Sequence, residues 1–541
     1  MDWRDVWKKH GGSWFDLVAC CYCVIYESGN ERPVFSAQVE ASVSKPGSPV
    51  DRLIRSVCEI VPSRGLGRRC ADKAIETISC LYDDAVSDPD WPKKYAEDIG
   101  CWAIVVGVDK CVVDSGASDM ASVVGPLNTA LRDKVGVYYK PSSALVGDVL
   151  SVYGVRFSPM EQLSERLQGL NVVARVAGQP LPLIQRPDGS VARFGHGEGT
   201  QSDDSAAPSL KMRIGIAACS CDLSIDPASQ DIRTVGADGE GLFGVEYASA
   251  YDDRYEELLG APLSKAIDAG CDCVVFPEMV VSSGHLNRMK DQLRATKDTK
   301  SLQLVVAGSV WDRRDESGAG SNTCYVLDRF GNVLGATTKK NPYVNNDVEP
   351  HQIEHLDSGV NETTLLDVEG LGRLMVAICK DLESDTNYAF QMASVFRPDM
   401  LCVPAASGSV KGAFVGQADA IARRLHTICC VSNLCSMVKQ WEDDYSAGIS
   451  FVAVPSVKIG ESHGRQPEVE MVFCRRAALG NVRDRSAPDG AGNRSASGDM
   501  GGCACSNGGC LFVVDVNYDV AQASGVIPEM AVGDSPCACE G

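Results

Sequence analysis

Short apolar runs that alternate with helical patterns restrict the fold of the second half of this chain. Strand-like runs occur at 212–219, 273–276, 304–307, 374–379, 401–403, 428–431, 451–454, 471–473 and 511–514. Helical patterns lie between them at 255–269, 388–395 and 416–425. Continuous apolar strands separated by helices are typical of sheets covered by helices. The pattern therefore predicts an α/β layer architecture.

A hairpin interrupts this alternation. Two strand-like segments, 323–327 and 333–337, flank a short turn at 328–332. Apolar runs on both sides of such a turn predict an antiparallel pair. The helical pattern at 255–269 is expected to end at Gly270, because glycine adopts the left-handed conformation that follows many helices.

A polar stretch rich in turn-forming residues divides the 541-residue chain. It predicts a flexible linker at 186–210. We expect a separate mixed α/β N-terminal domain at 1–185 and a larger α/β domain at 211–520. Within the larger domain, a Gly- and Ser-rich stretch at 487–509 predicts a surface loop insertion. A cysteine-containing tail follows at 521–541.

The N-terminal segment carries two local signals. An apolar run at 103–108 is typical of a strand. Ser158 and Glu161 form a capping-box pattern, which predicts a helix at 159–170. Neither signal indicates a chemistry, so the role of this domain stays unassigned.

Acidic residues dominate the charge. The chain has 51 Lys and Arg against 72 Asp and Glu, a formal net charge of -21, which opposes general attraction to nucleic acid or anionic membranes. It has 24 cysteines and no recognisable export signal, since the apolar stretch at 17–26 is too short. We therefore expect a cytoplasmic protein with reduced thiols, without a membrane or nucleic-acid partner.

Three reactive side chains follow predicted strands. Glu278 comes directly after Pro277, which ends sheet hydrogen bonding. Lys340 follows the hairpin, and Cys379 ends another apolar run. In α/β proteins, catalytic groups stand on loops at the carboxyl ends of strands. Taken singly, each residue also has a structural interpretation: a solvated acid, a solvated turn lysine or an inert core thiol.

In this chain order, the three residues resemble the catalytic Glu, Lys and Cys of the nitrilase superfamily of carbon–nitrogen hydrolases. Phe-Pro-Glu at 276–278 is similar to the family's base motif, and Ile-Cys-Lys-Asp at 378–381 is similar to its nucleophile motif. The segment 322–335 resembles the hairpin that leads into the family lysine. The resemblance extends over about 212–516.

The resemblance implies a four-layer α-β-β-α sandwich and hydrolysis of a non-peptide carbon–nitrogen bond without metal or cofactor. It assigns Cys379 as the nucleophile, Glu278 as general base and acid, and Lys340 as the oxyanion stabiliser. These residue types suit the chemistry, because a thiolate attacks the carbon and a carboxylate can take the thiol proton. The family also implies a homodimer or a larger assembly.

Two assignments within the motif stay open. Lys339 is an alternative to Lys340, because the residues after the lysine pair alter the usual spacing. The further family Glu that orients the lysine is placed at Glu354, with Glu349 as the alternative. Lys380 follows the nucleophile where Trp or Tyr is common in the family. The substrate therefore stays open between an amide, an N-carbamoyl compound and a nitrile.

Two other kinds of site have weaker motifs. A Cys-His protease would pair His426 with Cys379 or Cys429, but no local signature supports it. A zinc site would use the C-terminal cysteines, whose Cys-x-Cys spacing differs from the usual Cys-x2-Cys knuckle, so we expect no metal. Those cysteines are Cys503, Cys505, Cys510, Cys537 and Cys539.

The main alternative is a regulatory or scaffold module whose N-terminal domain binds a partner. Nitrilase-like domains occur fused to reverse-transcriptase-like bacterial defence proteins, and Tyr82-Asp83-Asp84 is the one hint of such a relation. The chain has no Gly-rich phosphate loop ending in Lys-Ser/Thr, which argues against ATP dependence. We predict a hydrolase that binds a small amide or nitrile.

Overall fold

The computed structural model describes the chain in segments, and the chain divides into two compact units. The described residues are 2–28, 45–61, 70–114, 135–139, 167, 170–174, 184–185, 209–219, 221, 223–224, 231–236, 241–296, 301–313, 319–345, 351–356, 363–368, 371–383, 385–386, 388–434, 450–459, 465–474 and 510–519. One unit comprises Met1–Ala144 and Arg156–Arg186, and the other comprises Leu145–Val155 and Pro187–Gly541. Each unit has its own hydrophobic core.

Helices make up most of the described N-terminal unit. The elements are α1 (Trp3–His10), α2 (Trp14–Glu27), α3 (Pro49–Ile60), α4 (Asp72–Val86), α5 (Ala96–Asp114), β1 (Val135–Tyr139), β2 (Leu170–Ala174) and β3 (Ile184–Gln185). Ser48 caps α3 by accepting a hydrogen bond from the Asp51 N–H, and Pro49 takes the first helical position, where an N–H is not needed. β1 and β2 pair antiparallel. The described part is therefore mixed α/β, but mainly helical.

The strand predicted at 103–108 is wrong, because these residues lie inside α5 and are mostly buried. A short apolar run looks the same in a buried helix and in a buried strand, since periodicity separates the two only when one face is exposed. The helix predicted at 159–170 lies mostly outside the described residues. Its last residue, Leu170, begins β2.

The C-terminal unit alternates strands and helices as predicted. Its strands are β4 (Ser209–Ala218), β5 (Leu223–Ser224), β6 (Ile232–Gly236), β7 (Leu242–Tyr247), β8 (Cys273–Val275), β9 (Leu304–Arg313), β10 (Gly320–Asp328), β11 (Val333–Thr338), β12 (Val344–Asn345), β13 (Gln352–Glu354), β14 (Leu365–Val368), β15 (Gly372–Val376), β16 (Met400–Ala405), β17 (Ile428–Asn433), β18 (Ser450–Ile459), β19 (Arg465–Cys474) and β20 (Cys510–Asp519). Its α-helices are α6 (Ala261–Asp268), α7 (Ser283–Ala295), α8 (Tyr388–Phe396) and α9 (Gly416–Leu425). Short 3-10 turns occur at Tyr251–Arg254 and Cys379–Leu382, and π-helical turns occur at Glu256–Gly260 and Lys411–Val415.

Two large sheets face each other in the core of this unit. The first has the strand order β11-β10-β9-β8-β4-β20, and the second runs β19-β18-β17-β16-β15-β14. Parallel strands form both centres, with β4, β8 and β9 in the first sheet and β15, β16 and β17 in the second. Ser432 Oγ on β17 donates to Ala217 O on β4 at 2.7 Å, across the interface between the sheets. Helices α6 and α7 pack on the first sheet, and α9 packs on the second.

A third, smaller sheet was not predicted. Its strand order is β12-β13-β7-β6-β5, and its strands have only two to six residues. Such short strands give too few alternations for a periodic pattern to be recognised. The omission matters, because β13 ends at Glu354 and pairs with β7 in parallel.

Several predicted boundaries can be compared with the described elements. The helix predicted at 416–425 is confirmed as α9. The one predicted at 255–269 is a π-helical turn followed by α6, and Gly270 after it has φ +68°, as expected of a glycine stop. β4 begins at Ser209, two residues inside the predicted linker 186–210. The loop predicted at 487–509 and the tail at 521–541 lie outside the described residues.

The described residues contain no helix long and apolar enough to cross a membrane. Nor does the described part of the chain contain three or more His, Cys, Asp or Glu side chains arranged to hold a metal ion. The cysteines whose side chains are described are free thiols. Of the five C-terminal cysteines considered for zinc, all but Cys510 lie outside the described residues.

Candidate active site

Glu278 lies at the edge of the first sheet, three residues after β8 ends. Its backbone N–H donates to Ala405 O at the end of β16 at 3.3 Å, so the loop is attached to the facing sheet. The next residue, Met279, has φ +61° and donates its N–H to Ser309 Oγ at 2.9 Å. The Glu278 side chain is only 1% exposed. The carboxylate is therefore buried at a strand end, not solvated.

The lysine beside Glu278 is Lys339, and the prediction of Lys340 is corrected. Lys339 Nζ lies 2.8 Å from Glu278 Oε1 and is buried. Its backbone N–H donates to Asn322 O at 2.8 Å, which continues the pairing of β11 with β10. Lys340 instead donates its backbone N–H to the Asp381 carboxylate at 3.1 Å. Successive side chains of an extended chain point to opposite faces, so a shift of one residue selects a different lysine.

Glu354 is the second carboxylate of the cluster. Its Oε2 lies 2.7 Å from Lys339 Nζ and accepts the Tyr343 N–H at 2.9 Å. The Glu354 N–H in turn donates to Tyr343 O at 2.9 Å, which places the residue on β13 beside β12. The structure thus brings Glu354 into contact with Lys339. The alternative, Glu349, lies outside the described residues.

Cys379 begins the 3-10 turn that follows β15. Its φ is +45° and the residue is 2% exposed. A left-handed φ in a residue other than glycine costs on the order of 1–3 kcal/mol and persists only where the surroundings enforce it. The Glu278 carboxylate, the Lys339 ammonium and the Ala406 N–H on the facing loop are the groups that act electrostatically on the sulfur. The nucleophile motif and the base motif therefore meet in space.

The cluster holds the Cys379 thiol in its protonated form. Burial raises the pKa of this thiol well above its usual range, and the Glu278 charge raises it further, whereas Lys339 and the Ala406 N–H lower it. A thiol in this state needs a base in order to react, because the thiolate is the nucleophile. Glu278 is the carboxylate whose charge acts on this thiol.

Lys339 is held as a permanent cation. Burial lowers its pKa, but Glu278 and Glu354 together outweigh burial, so the pKa lies well above its usual range. A lysine ammonium has three protons to donate. Two are used by the two carboxylates, which leaves the third for a developing negative charge in the site.

Asp381 connects the nucleophile turn to the lysine loop. Its Oδ1 accepts the Asn341 N–H at 2.9 Å and the Asn341 Nδ2 at 2.8 Å, and its Oδ2 accepts the Ile378 N–H at 3.3 Å. These contacts fix Cys379 and Lys339 relative to each other through their chain neighbours. The sequence offered only the spacing Cys-x-Asp as a signal for this role.

Burial raises the pKa of Asp381 to about 6, against hydrogen bonds and the Lys339 charge that lower it. Because this pKa exceeds the unfolded value of 3.8, Asp381 keeps its proton up to a higher pH in the native state than in the unfolded state. The resulting stability is complete below the unfolded pKa and is lost as pH rises through about 6. Asp381→Asn cannot titrate. We expect the free energy of unfolding of the wild type, minus that of this variant, to fall by roughly 1 kcal/mol between about pH 5 and about pH 8.

Urea unfolding of both proteins across this pH range measures the difference. A difference that stays constant or grows with pH contradicts the assignment. The conservative Asp385→Asn exchange, at a carboxylate of which 63% is exposed, serves as the control and should leave the pH dependence unchanged.

The other predicted groups are placed differently. Burial lowers the pKa of His426 to about 4, and His426 lies at the end of α9 with φ +55°. The residues in electrostatic contact with Cys379 are Glu278, Lys339 and the Ala406 N–H, with no histidine among the described partners. Tyr82-Asp83-Asp84 lies within α4, where Asp83 pairs with Arg4 at 2.9 Å.

The sequence interpretation missed Asn322. This residue belongs to the hairpin segment that resembles the family, but it was given no role. In the structure, its Nδ2 lies 2.8 Å from Glu278 Oε1 and 3.0 Å from Glu354 Oε1. Because its strand neighbours Ser321 and Thr323 are also polar, no signal in the sequence singles out Asn322.

No family model matches this sequence, and no curated protein matches it. Among solved structures, the chain is similar to a mutant amidase from Nesterenkonia sp. AN1 with the acetamide moiety of fluoroacetamide added covalently at the active-site cysteine. The identity is 15%, the match covers 49% of this chain and 90% of that chain, and the TM-score is 0.29. It is also similar to Saccharomyces cerevisiae Nit3, a member of branch 10 of the nitrilase superfamily, at 15% identity over 49% of this chain and 90% of that chain, with a TM-score of 0.31. At these TM-scores the likeness decides nothing about activity.

Proposed function

We propose that this chain hydrolyses a non-peptide carbon–nitrogen bond through a thioester on Cys379. The substrate class is an amide, an N-carbamoyl compound or a nitrile. One observation carries the proposal: Glu278, Lys339, Glu354 and Cys379 come from four separate parts of the chain and form a single buried contact cluster. A nucleophile, a base and a fixed cation are the groups this reaction needs.

The first step is attack of the Cys379 sulfur on the substrate carbon. The Sγ–C bond forms while the thiol proton passes to Glu278, whose charge already acts on the thiol. For an amide or N-carbamoyl substrate, the π electrons of the C=O bond move to the oxygen. Direct transfer to Glu278 avoids a free thiolate, which burial disfavours here.

Lys339 stabilises the resulting oxyanion. Its ammonium is buried, permanently charged and held by two carboxylates, with one proton left to donate. Preorganised donors of this kind act in a site without water and need no rearrangement during the reaction. The backbone N–H of the residue after Cys379 is proposed as the second donor.

The tetrahedral intermediate then collapses and the thioester is hydrolysed. Glu278 returns its proton to the leaving nitrogen, the C–N bond breaks, and ammonia or an amine departs. A water molecule next gives a proton to Glu278 and attacks the thioester carbon. The Sγ–C bond breaks, the thiol recovers its proton from Glu278, and the carboxylic product leaves. All proton transfers use Glu278, so no further group is required.

The fold proposed for this unit is the four-layer α-β-β-α sandwich. Support comes from the two facing sheets and from the helices packed on each of them. A homodimer or larger assembly stays a prediction from the resemblance. Light scattering of the full chain measures it, and a monomeric mass contradicts it.

The function is tested by ammonia release from a panel of amides, N-carbamoyl compounds and nitriles. Glu278→Gln keeps the shape of the side chain but cannot accept the thiol proton. We expect its rate to fall by about 100- to 10,000-fold, the usual contribution of general acid–base catalysis. The control is Glu383→Gln, which alters a carboxylate bound to Lys380 outside the cluster and should remain near the wild-type rate.

The regulatory or scaffold alternative gives the opposite result. A module without catalysis releases no ammonia from any compound in the panel, in wild type or variant. Release that is the same in wild type and Glu278→Gln overturns the proton-transfer role, even if the chain proves to be a hydrolase.

A further inference from the structure

Asn322 occupies the middle of the site on β10. It is fully buried, and its backbone carbonyl accepts the Lys339 N–H at 2.8 Å. The neighbouring residue Thr323 pairs with Thr338 in the antiparallel register of β10 and β11. This pairing places Asn322 directly beside Lys339, which follows the end of β11.

The Asn322 side-chain amide bridges the two carboxylates. Its Nδ2 donates to Glu278 Oε1 at 2.8 Å and to Glu354 Oε1 at 3.0 Å. Lys339 Nζ bridges the same two residues, at 2.8 Å from Glu278 Oε1 and 2.7 Å from Glu354 Oε2. The four side chains thus close a ring in which two donors hold two acceptors.

The ring determines which oxygen of Glu278 is available for chemistry. Oε1 accepts one hydrogen bond from a cation and one from an amide, so its lone pairs are occupied. Among the described hydrogen bonds, none has Glu278 Oε2 as its acceptor. A carboxylate held through one oxygen by two donors has a fixed rotation, which leaves Oε2 as the oxygen that can accept a proton.

The orientation of the Asn322 amide leaves its oxygen without a hydrogen bond, which costs stability. Asn322 Oδ1 is buried and has no hydrogen-bond partner among the described residues. A buried acceptor without a donor destabilises the fold. Rotating the amide would place this oxygen against two carboxylates, which repel it. The orientation is therefore set by Glu278 and Glu354, and not by the needs of Asn322 itself.

We propose that Asn322 is a positioning residue, whose amide holds Glu278 and Glu354 in register so that Glu278 Oε2 faces the Cys379 thiol. The inference rests on the proposed function, because it concerns the same proton transfer. Without the amide, the described hydrogen bonds would hold the Glu278 carboxylate only through the ammonium, and the Glu354 carboxylate only through Oε2. The neutral amide adds a second contact without adding a charge to the cluster.

The test uses iodoacetamide, which reports on Cys379 whether or not the natural substrate is known. In this reaction the Sγ–C bond forms, the C–I bond breaks, iodide leaves, and the thiol proton passes to Glu278. Asn322→Leu has a similar volume, donates no hydrogen bond and removes the unsatisfied oxygen. We expect Cys379 alkylation at neutral pH to slow by about 100-fold, the effect of misplacing a reacting group by about 1 Å.

The pH profile separates positioning from general loss of structure. As pH rises, thiolate forms without the help of Glu278. The difference in alkylation rate between the wild type and Asn322→Leu should therefore become smaller. A merely structural defect would leave the ratio of the wild-type and Asn322→Leu alkylation rates the same at every pH. Where a substrate has been found, kcat should fall with KM unchanged, since the amide touches the base and not the substrate.

Two more variants keep the proposal falsifiable if Asn322→Leu does not fold. Asn322→Ala has no group that can donate in any protonation state, so it should also slow alkylation at neutral pH. Thr323→Val is the matched control, because Thr323 is buried on the same strand and loses only its contact with Thr338 Oγ1 at 3.3 Å. It should alkylate like the wild type.

The outcomes distinguish this proposal from the proposed function. A wild type whose Cys379 resists iodoacetamide overturns both. A reactive wild type with equal rates in the Asn322 variants overturns the positioning role alone. Slow alkylation in Thr323→Val as well as in the Asn322 variants shows that any buried change on β10 has this effect, and it also rejects the positioning role.

Discussion

Replacing Cys379 with alanine is expected to abolish ammonia release from every compound the wild type hydrolyses. The rate should fall by roughly 10,000-fold or more, because without the sulfur no thioester can form and water has no comparable nucleophile to replace it. The fold should persist, because the change removes one sulfur from a turn whose backbone is held by Asp381. The rate is measured with the panel of amides, N-carbamoyl compounds and nitriles.

The control for this prediction is a second buried cysteine. Cys429 lies on β17 and is also fully buried with a raised pKa, but Glu278 and Lys339 are not among the groups that act on it. Cys429→Ala should keep wild-type activity, apart from a loss of stability for the cavity. Retained turnover in Cys379→Ala refutes the nucleophile assignment.

Lys339→Met is expected to lower both activity and stability. Removing the oxyanion donor should lower kcat by about 100- to 1,000-fold. It also leaves two buried carboxylates, Glu278 and Glu354, without their shared cation. Breaking a buried ion pair by removing one partner typically costs about 3–5 kcal/mol. Urea unfolding and ammonia release measure the two effects separately.

Lys340→Met is the matched control, because it is the same substitution one residue along. Lys340 meets the site through its backbone N–H, which the substitution keeps. Activity should therefore stay close to wild type, because the ammonium in contact with Glu278 and Glu354 belongs to Lys339. If Lys340→Met is inactive while Lys339→Met turns over normally, the assignment of the two lysines is reversed.

Local sequence signals were sufficient for the elements that have their own periodicity. The small-residue helix at 416–425 was predicted with its observed bounds. Pro277 and the apolar run before it placed Glu278 at a strand end. The run at 374–379 was predicted as a strand that ends at Cys379, whereas the strand ends at Val376 and Cys379 begins the following turn. These positions depend on residues adjacent in the chain, so the sequence contains the information directly.

Buried helices and very short strands were beyond such signals. The run at 103–108 is apolar throughout and proved to be helical, because a segment buried on all sides has no polar face to reveal its period. The small sheet that carries Glu354 consists of strands too short to show any period. Its existence follows from pairing with β7, a contact between residues distant in sequence.

The sequence by itself determined the alternation of strands and helices and placed Glu278 and Cys379 near strand ends. It left two lysines as candidates for the site. The tertiary structure decided between them, because the pairing of β11 with β10 sets which of two successive side chains faces the carboxylates. It also decided the roles of Asn322 and Asp381, whose partners are distant in the chain. A single sequence records which residues are present, whereas the cluster depends on strand register, and a register is defined only when two strands pair.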